Sequence, residues 1–182
     1  MRAFVLGGAR SGKSSLAARL ASELSNDVCC VVTAVVTDEE MKARIETHRR
    51  DRPSHWRVRE EPLKLSAVLG EECRTGRVVL IDCLTLWTAN CLWPPTAVPS
   101  DPNANFEPDI AGWHTERDAF LASLTASQHD VIIVSNEVGT SLVPENAAAR
   151  LFRDEQGRLN QLVAAACDSA FLVAAGLPVR LK

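Results

Sequence analysis

The chain has 182 residues, enough to bury a sizeable core and few enough for a single domain spanning 1–182. Its composition, 46% hydrophobic and 24% charged, is that of an ordinary globular protein, and a formal net charge of −3 offers no general attraction for nucleic acid. No run of about 18 apolar residues occurs, so no membrane span is expected, and the N-terminus runs directly into an apolar segment with no room for a signal peptide, which points to the cytoplasm.

Ala3 to Leu6 reads as a short buried strand. Gly7-Gly8-Ala9-Arg10-Ser11-Gly12-Lys13-Ser14 follows, a complete G-x-x-x-x-G-K-S phosphate loop, and Leu16, Leu20 and Leu24 then recur at helical spacing from Lys13 to Leu24. Strand, glycine-rich turn and helix is the context this motif requires. Backbone N–H groups converge on an anion there and the helix N-terminus adds partial positive charge. Lys13 would reach the β- and γ-phosphates, and Ser14 would ligate Mg²⁺.

Val28 to Thr33 predicts a second strand, with Thr33, Ala34 and Val35 leaving it toward the nucleotide. Thr37-Asp38-Glu39-Glu40 reads as a capping box with Thr37 as N-cap and Glu40 as its partner. The helix it opens, Asp38 to about Arg50, carries Met41, Ile45 and His48 at i, i+4 and i+7, on one face. Arg44, Arg49, Arg50, Arg52 and Arg57 surround His48 in an otherwise acidic chain. Such charges suit a phosphate and disfavour a protonated imidazole, leaving a nucleophilic neutral nitrogen. A histidine on a helix face is also an ordinary structural residue, and His55 is a nearby alternative. Asp51, Arg52, Pro53 and Ser54 read as a loop against the nucleoside. Glu60 or Glu61 offers a carboxylate to ribose or base, or simply a solvated pair.

Arg77 to Ile81 predicts a third strand ending in Asp82. A carboxylate there holds Mg²⁺ through water in phosphate-loop enzymes, or caps the helix that starts at Cys83-Leu84. Residues 93–108 hold Pro94, Pro95, Pro99, Pro102 and Pro108, and read as a surface loop or a lid. A helix from Asp109 to Ala126, a strand from Val131 to Ser135, a helix from Pro144 to Cys167 broken near Gly157, and a strand from Ala170 to Val173 complete the main pattern. A short hairpin strand, Val179 to Lys182, follows Gly176-Leu177-Pro178. Asn90, Asn136 and Glu137 fall on the same rim as site supports. Cys29, Cys30, Cys73, Cys83, Cys91 and Cys167 form no metal-spaced pair and read as buried reduced thiols. Continuous apolar strands alternating with helices predict a doubly wound, mostly parallel α/β sheet.

These segments together resemble a family. Gly7 to Ser14, Asp38 to Met41, Arg44-Ile45 with His48, Arg52 to Arg57, Ser135 to Gly139, Val143 to Asn146, and Phe152-Arg153-Asp154 with Gly157 to Gln161 resemble the bifunctional adenosylcobinamide kinase / adenosylcobinamide-phosphate guanylyltransferases of cobalamin biosynthesis. The resemblance covers nearly the whole chain. It implies a RecA-like P-loop NTPase fold and two reactions. In the first, the aminopropanol hydroxyl of adenosylcobinamide takes the γ-phosphoryl group of ATP or GTP. In the second, GMP from GTP is held covalently on a histidine, then passed to the corrinoid phosphate to give adenosylcobinamide-GDP. The resemblance places the nucleophile at His48, preceded here by Thr47 where many members have a second histidine. It further implies Mg²⁺, a corrinoid substrate and a homotrimer. A monofunctional small-metabolite kinase is the nearest rival. A GTPase switch is disfavoured, because Asn136-Glu137-Val138-Gly139 lacks the Lys and Asp of an N-K-x-D signature.

Overall fold

A computed structural model describes residues 1–36, 38–50, 52–73, 76–95 and 107–182, apart from the side chains of Glu40, Arg44 and His48. Strands β1 (Arg2–Gly7), β2 (Asp27–Val32), β3 (Arg57–Glu60), β4 (Arg77–Asp82), β5 (Asp130–Asn136), β6 (Ser169–Ala174) and β7 (Leu177–Arg180) form one sheet in the order β3-β2-β4-β5-β1-β6-β7. All neighbours pair parallel except β6 with β7. Helices α1 (Lys13–Leu24), α2 (Glu39–Arg50), α3 (Leu65–Glu72), α4 (Leu84–Leu92), α5 (Ile110–Ala126) and α6 (Ala147–Ala166) connect them.

The central strands are apolar on both faces because both faces are covered. Side chains alternate across the pleat, so Phe4, Val79, Ile81, Val131 and Ile133 face one side. There they meet Leu65, Leu69, Trp87, Trp113, Phe120 and Leu159 from α3 to α6. Ala3, Val5, Val78, Leu80, Ile132 and Val134 face the other side, where Leu16, Ala17 and Ala21 of α1 and Trp56 cover them. None of the described side chains of α2 belongs to either cluster.

Four expectations need correction. β3 and α3 were not anticipated: β3 is the polar edge strand Arg57-Val58-Arg59-Glu60, which carries no apolar signal, and α3 is only eight residues long. Helix α6 runs unbroken through Gly157, its mid-helix glycine tolerated. The hairpin strand is 177–180, not 179–182, because the turn is confined to Ala175 and Gly176, both at positive φ. At the start of α2 the cap is Asp38, whose Oδ1 accepts from the Met41 N–H at 2.7 Å; Thr37, expected there, lies outside the described residues, as does the side chain of Glu40. The proline-rich segment is described only at its ends, which meet through the Asp109 N–H and the Leu92 carbonyl at 2.8 Å.

Candidate nucleotide and phosphoryl-transfer site

Parallel strands deliver their C-terminal ends to one edge, and the chemistry-bearing residues gather there. Gly7 ends β1 opposite Asn136 of β5, and Asp82 ends β4 opposite Val32 of β2, which in turn pairs with Glu60 of β3. The phosphate loop and Asp82 are therefore separated by a single strand, β5.

The loop is shaped by its small residues. Gly12 takes φ 95° as the residue before α1, and a Cβ on it would lie 3.1 Å from the Cα of Gly176. A Cβ on Gly7 would lie 2.5 Å from Ser11 Oγ and 2.6 Å from the Val173 carbonyl. Two neighbours brace the loop: Gly176 N–H donates to the Ser11 carbonyl at 2.8 Å, and Glu137 N–H to the Gly7 carbonyl at 3.1 Å. Arg10 is held at φ 55°, a left-handed conformation that costs a non-glycine residue energy. Lys13 Nζ donates across the loop to the Gly8 carbonyl at 3.0 Å. Burial lowers the Lys13 pKa, and the nearby Cys83 and Asp82 act against that shift.

Asp82 is half-buried and pairs with Arg52 at 3.2 Å. Arg52 lies two residues beyond the end of α2 and four beyond His48, so the histidine-bearing helix ends against the carboxylate of β4. His48 lies on α2 in its last turn; its side chain, and with it the predicted inward face, is outside the described residues. His55 is exposed, in the Pro53–Trp56 turn. The predicted arginine cluster divides: Arg52 joins Asp82, while Arg57, at the opposite end of β3, pairs with Glu72 at 3.8 Å.

The two adjacent acids also divide. Glu61 Oε1 accepts the Leu63 and Lys64 N–H groups at 3.1 and 2.8 Å and so opens the turn into α3. Glu60 is exposed at the end of β3 and makes no ion pair among the described residues. Ala34 and Val35 are half-buried after β2, Pro53 and Ser54 follow α2, and Asp51 is outside the described residues. Thr33, expected to face nucleotide, is fully buried, with its hydroxyl engaged by Cys83.

Beneath the loop lies a polar network that the sequence reading missed. Gln156 Nε2 donates to Ser135 Oγ and to Asn160 Oδ1, Ser135 Oγ donates to Asn160 Oδ1, and Asn160 Nδ2 donates to the Asn136 carbonyl at 3.1 Å. Asn136 N–H donates to Thr85 Oγ1 at 2.9 Å. The signal was present as amides at i and i+4 on α6, Gln156 and Asn160, on the buried face that also carries Glu155, Leu159 and Val163.

Ser14, half-buried in the first turn of α1, and Asp82 are hard oxygen donors suited to Mg²⁺. Among the described residues no group of three or more His, Cys, Asp or Glu is gathered as a metal cage.

The chain matches, over residues 3–181, the family described as cobinamide kinase / cobinamide phosphate guanyltransferase. It belongs to that family. It is 44% identical over its whole length to a bifunctional adenosylcobalamin biosynthesis protein CobP from Pseudomonas aeruginosa, covering 98% of that protein. It is 36% and 35% identical to the bifunctional adenosylcobalamin biosynthesis proteins CobU of Escherichia coli and Salmonella typhimurium, covering each completely. Membership of the cobinamide kinase / guanyltransferase family makes the chain an enzyme of the kinase and guanylyltransferase class. The fold is also that of a type III secretion ATPase, at 10% identity and a TM-score of 0.55 over 98% of this chain and 56% of the other. The ATPase EscN matches similarly, at 10% identity and a TM-score of 0.54 over 96% of this chain and 43% of the other. Both are likenesses of fold alone and agree with the P-loop architecture. No helix among the described residues is long and apolar enough to cross a membrane.

Proposed function

We propose that the chain phosphorylates the aminopropanol hydroxyl of adenosylcobinamide and then transfers GMP from GTP to the resulting phosphate through a histidine intermediate at His48. The observation that carries this reading is the Arg52–Asp82 pair at 3.2 Å, which brings the segment after His48 onto the edge that holds the phosphate loop. One nucleotide-binding edge then serves both transfers.

In the kinase step the substrate hydroxyl oxygen attacks the γ-phosphorus. The bond from that phosphorus to the β–γ bridging oxygen breaks, the nucleoside diphosphate leaves and the hydroxyl proton is lost. Gly7, Gly8, Ala9, Arg10, Ser11 and Gly12 cradle the phosphates by their backbone, and Lys13 neutralises charge on the β- and γ-phosphates. Mg²⁺, when held by Ser14 and Asp82, would supply further neutralisation of the leaving phosphate. In the second step a neutral His48 nitrogen attacks the α-phosphorus of GTP, a P–N bond forms and pyrophosphate departs. A corrinoid phosphate oxygen then attacks the same phosphorus and the P–N bond breaks, giving adenosylcobinamide-GDP. Splitting the transfer keeps the GMP activated between substrates. Arg52 is proposed to oppose charge on a transferring phosphate. Glu60, Ala34, Val35, Asp51, Pro53 and Ser54 are proposed to line the nucleoside.

The resemblance also implies a homotrimer. Exposed Leu142, Val143, Leu177, Val179 and Leu181 give the chain apolar surface for self-association, and light scattering tests the stoichiometry.

The deciding experiment is incubation with Mg²⁺ and α-labelled GTP, followed by denaturation. Label that is lost in acid, survives alkali and is absent from His48→Ala supports the intermediate. Loss of label in His55→Ala alone moves the nucleophile to His55. No label, with γ-phosphoryl transfer intact, leaves a monofunctional kinase.

A further inference from the structure

Thr33 and Asn90 form a relay that ends at Asp82. Thr33 Oγ1 donates to the Cys83 carbonyl at 2.7 Å and accepts the Cys83 N–H at 3.1 Å, while Thr33 N–H donates to the Asp82 carbonyl at 3.4 Å. The backbone that follows the Asp82 side chain, its own carbonyl and the Cys83 amide and carbonyl, is thus tied to one residue beyond the end of β2. Thr33 is held in turn from α4. Asn90 Nδ2 donates to the Thr33 carbonyl at 2.8 Å and to the Pro62 carbonyl at 3.2 Å. Trp87, one turn earlier, donates from Nε1 to the Leu63 carbonyl at 2.8 Å. Helix α4 therefore holds two loops by their carbonyls, the one leaving β2 and the one that follows Glu60 and Glu61.

We propose that Thr33 and Asn90 are positioning residues for phosphoryl transfer: Thr33 fixes the Asp82 carboxylate through the Cys83 backbone, and Asn90 fixes Thr33 while locking it to the turn that follows Glu60. The inference rests on Asp82 as a metal-holding carboxylate, proposed above. Thr33 touches no nucleotide in this arrangement, because its side chain is fully buried and its hydroxyl both donates to and accepts from Cys83. A threonine is required for both bonds and for the buried methyl; serine keeps the bonds, valine keeps the shape. Asn90 needs two N–H groups facing two carbonyls, which neither alanine nor aspartate supplies.

The test uses the full chain with Mn²⁺ as the probe ion and a non-hydrolysable GTP analogue, reading free Mn²⁺ by electron paramagnetic resonance. Kinase kcat and KM and thermal unfolding are measured alongside. Thr33→Val and Asn90→Ala are each expected to weaken Mn²⁺ binding about tenfold, the usual scale for groups that orient a metal ligand, with kcat falling more than the nucleotide KM rises. Thr33→Ser is expected to restore wild-type binding. Asn90→Asp, nearly the same shape, is expected to lose as much as Asn90→Ala. Asp82→Asn separates the two levels of the argument. If Asp82→Asn binds Mn²⁺ as wild type does, the carboxylate reading falls and the positioning inference falls with it. If Asp82→Asn is impaired but folded Thr33→Val, or folded Asn90→Asp should Thr33→Val not fold, binds Mn²⁺ within about twofold of wild type, the positioning inference alone is overturned.

Discussion

At Lys13 burial and charge pull in opposite directions. Desolvation lowers the ammonium pKa, Cys83 and Asp82 act against it, and the net shift is downward. A lysine so shifted loses its proton at a lower pH than a solvated one. kcat/KM reports the free enzyme, so its alkaline limb for nucleotide is expected below the ordinary lysine range. Lys13→Arg, whose guanidinium stays charged, is expected to move that limb upward even where its rate is lower. An alkaline limb unchanged in Lys13→Arg would remove Lys13 from the profile. Lys13→Ala is expected to cut kinase kcat roughly 100-fold or more, the scale of losing one transition-state charge partner, in a single-turnover γ-transfer assay. Lys13 was legible in the sequence because motif and flanking elements agree, and Asp82 because it ends an apolar strand. Thr33 was not: a threonine leaving a strand reads the same whether it faces ligand or the neighbouring backbone. Glu60 and Glu61 were not separable either, since the Leu63 and Lys64 N–H groups that engage Glu61 lie in the turn into a helix the sequence pattern did not announce.

Among the elements, β3 shows how a strand without an apolar signal is held. Arg59 pairs with Glu71 and Glu72, and Arg57 reaches Glu72. Arg77 of β4, 4% exposed, bonds to Glu72 and to Asp27. The edge strand that positions Glu60 is thus fastened to α3 by guanidinium–carboxylate contacts, a tertiary pairing that hydrophobic periodicity does not record. Burial alone raises the Glu72 pKa, but Arg57, Arg59 and Arg77 outweigh it and the net shift is downward. A carboxylate lowered on folding stabilises fully above its unfolded pKa, about 4.3, and loses that contribution as pH falls through the folded value. Glu72→Gln is therefore expected to cost roughly 3 kcal/mol at neutral pH, because it leaves a buried guanidinium poorly paired, and the gap from wild type should close in acid. Urea unfolding at a series of pH values measures it; a gap independent of pH would mean the carboxylate charge is not what holds β3. In α6 the opposite change is expected. A Cβ on Gly157 would meet nothing within 4 Å, so Gly157→Ala should gain up to about 1 kcal/mol of helix propensity and raise Tm by about 2–4 °C. The expected break at Gly157 failed for the same reason that prediction is possible: nothing at that position disturbs the helix, and packing of Leu159 and Val163 carries it through.

For the whole molecule, the parallel α/β class was readable from continuous apolar strands, which are apolar because helices cover both faces. Strand order was not readable, since no pattern within β1 states that β5, and not β4, lies beside it. Whether the two faces behave as one cooperative unit is testable through two adjacent cysteines. Cys29 lies in the cluster shared with α3 to α6, and Cys30 in the cluster covered by α1. Both are 1% exposed or less. Burial pushes their thiols up, to about 11 for Cys29 and about 12 for Cys30, so little thiolate forms at pH 8 and no reagent reaches it without opening. If residues 1–182 fold as a single domain, a thiol reagent at pH 8 should modify Cys29 and Cys30 at the same rate, read by mass spectrometry. That rate should rise in step in Glu72→Gln, because one global opening exposes both faces. Faster modification of Cys30 would mean that the α1 layer, with the phosphate loop at its N-terminus, opens while the α3–α6 layer stays closed. The nucleotide site would then sit on a separately unfolding unit, and GTP should slow modification of Cys30 while leaving Cys29 unaffected.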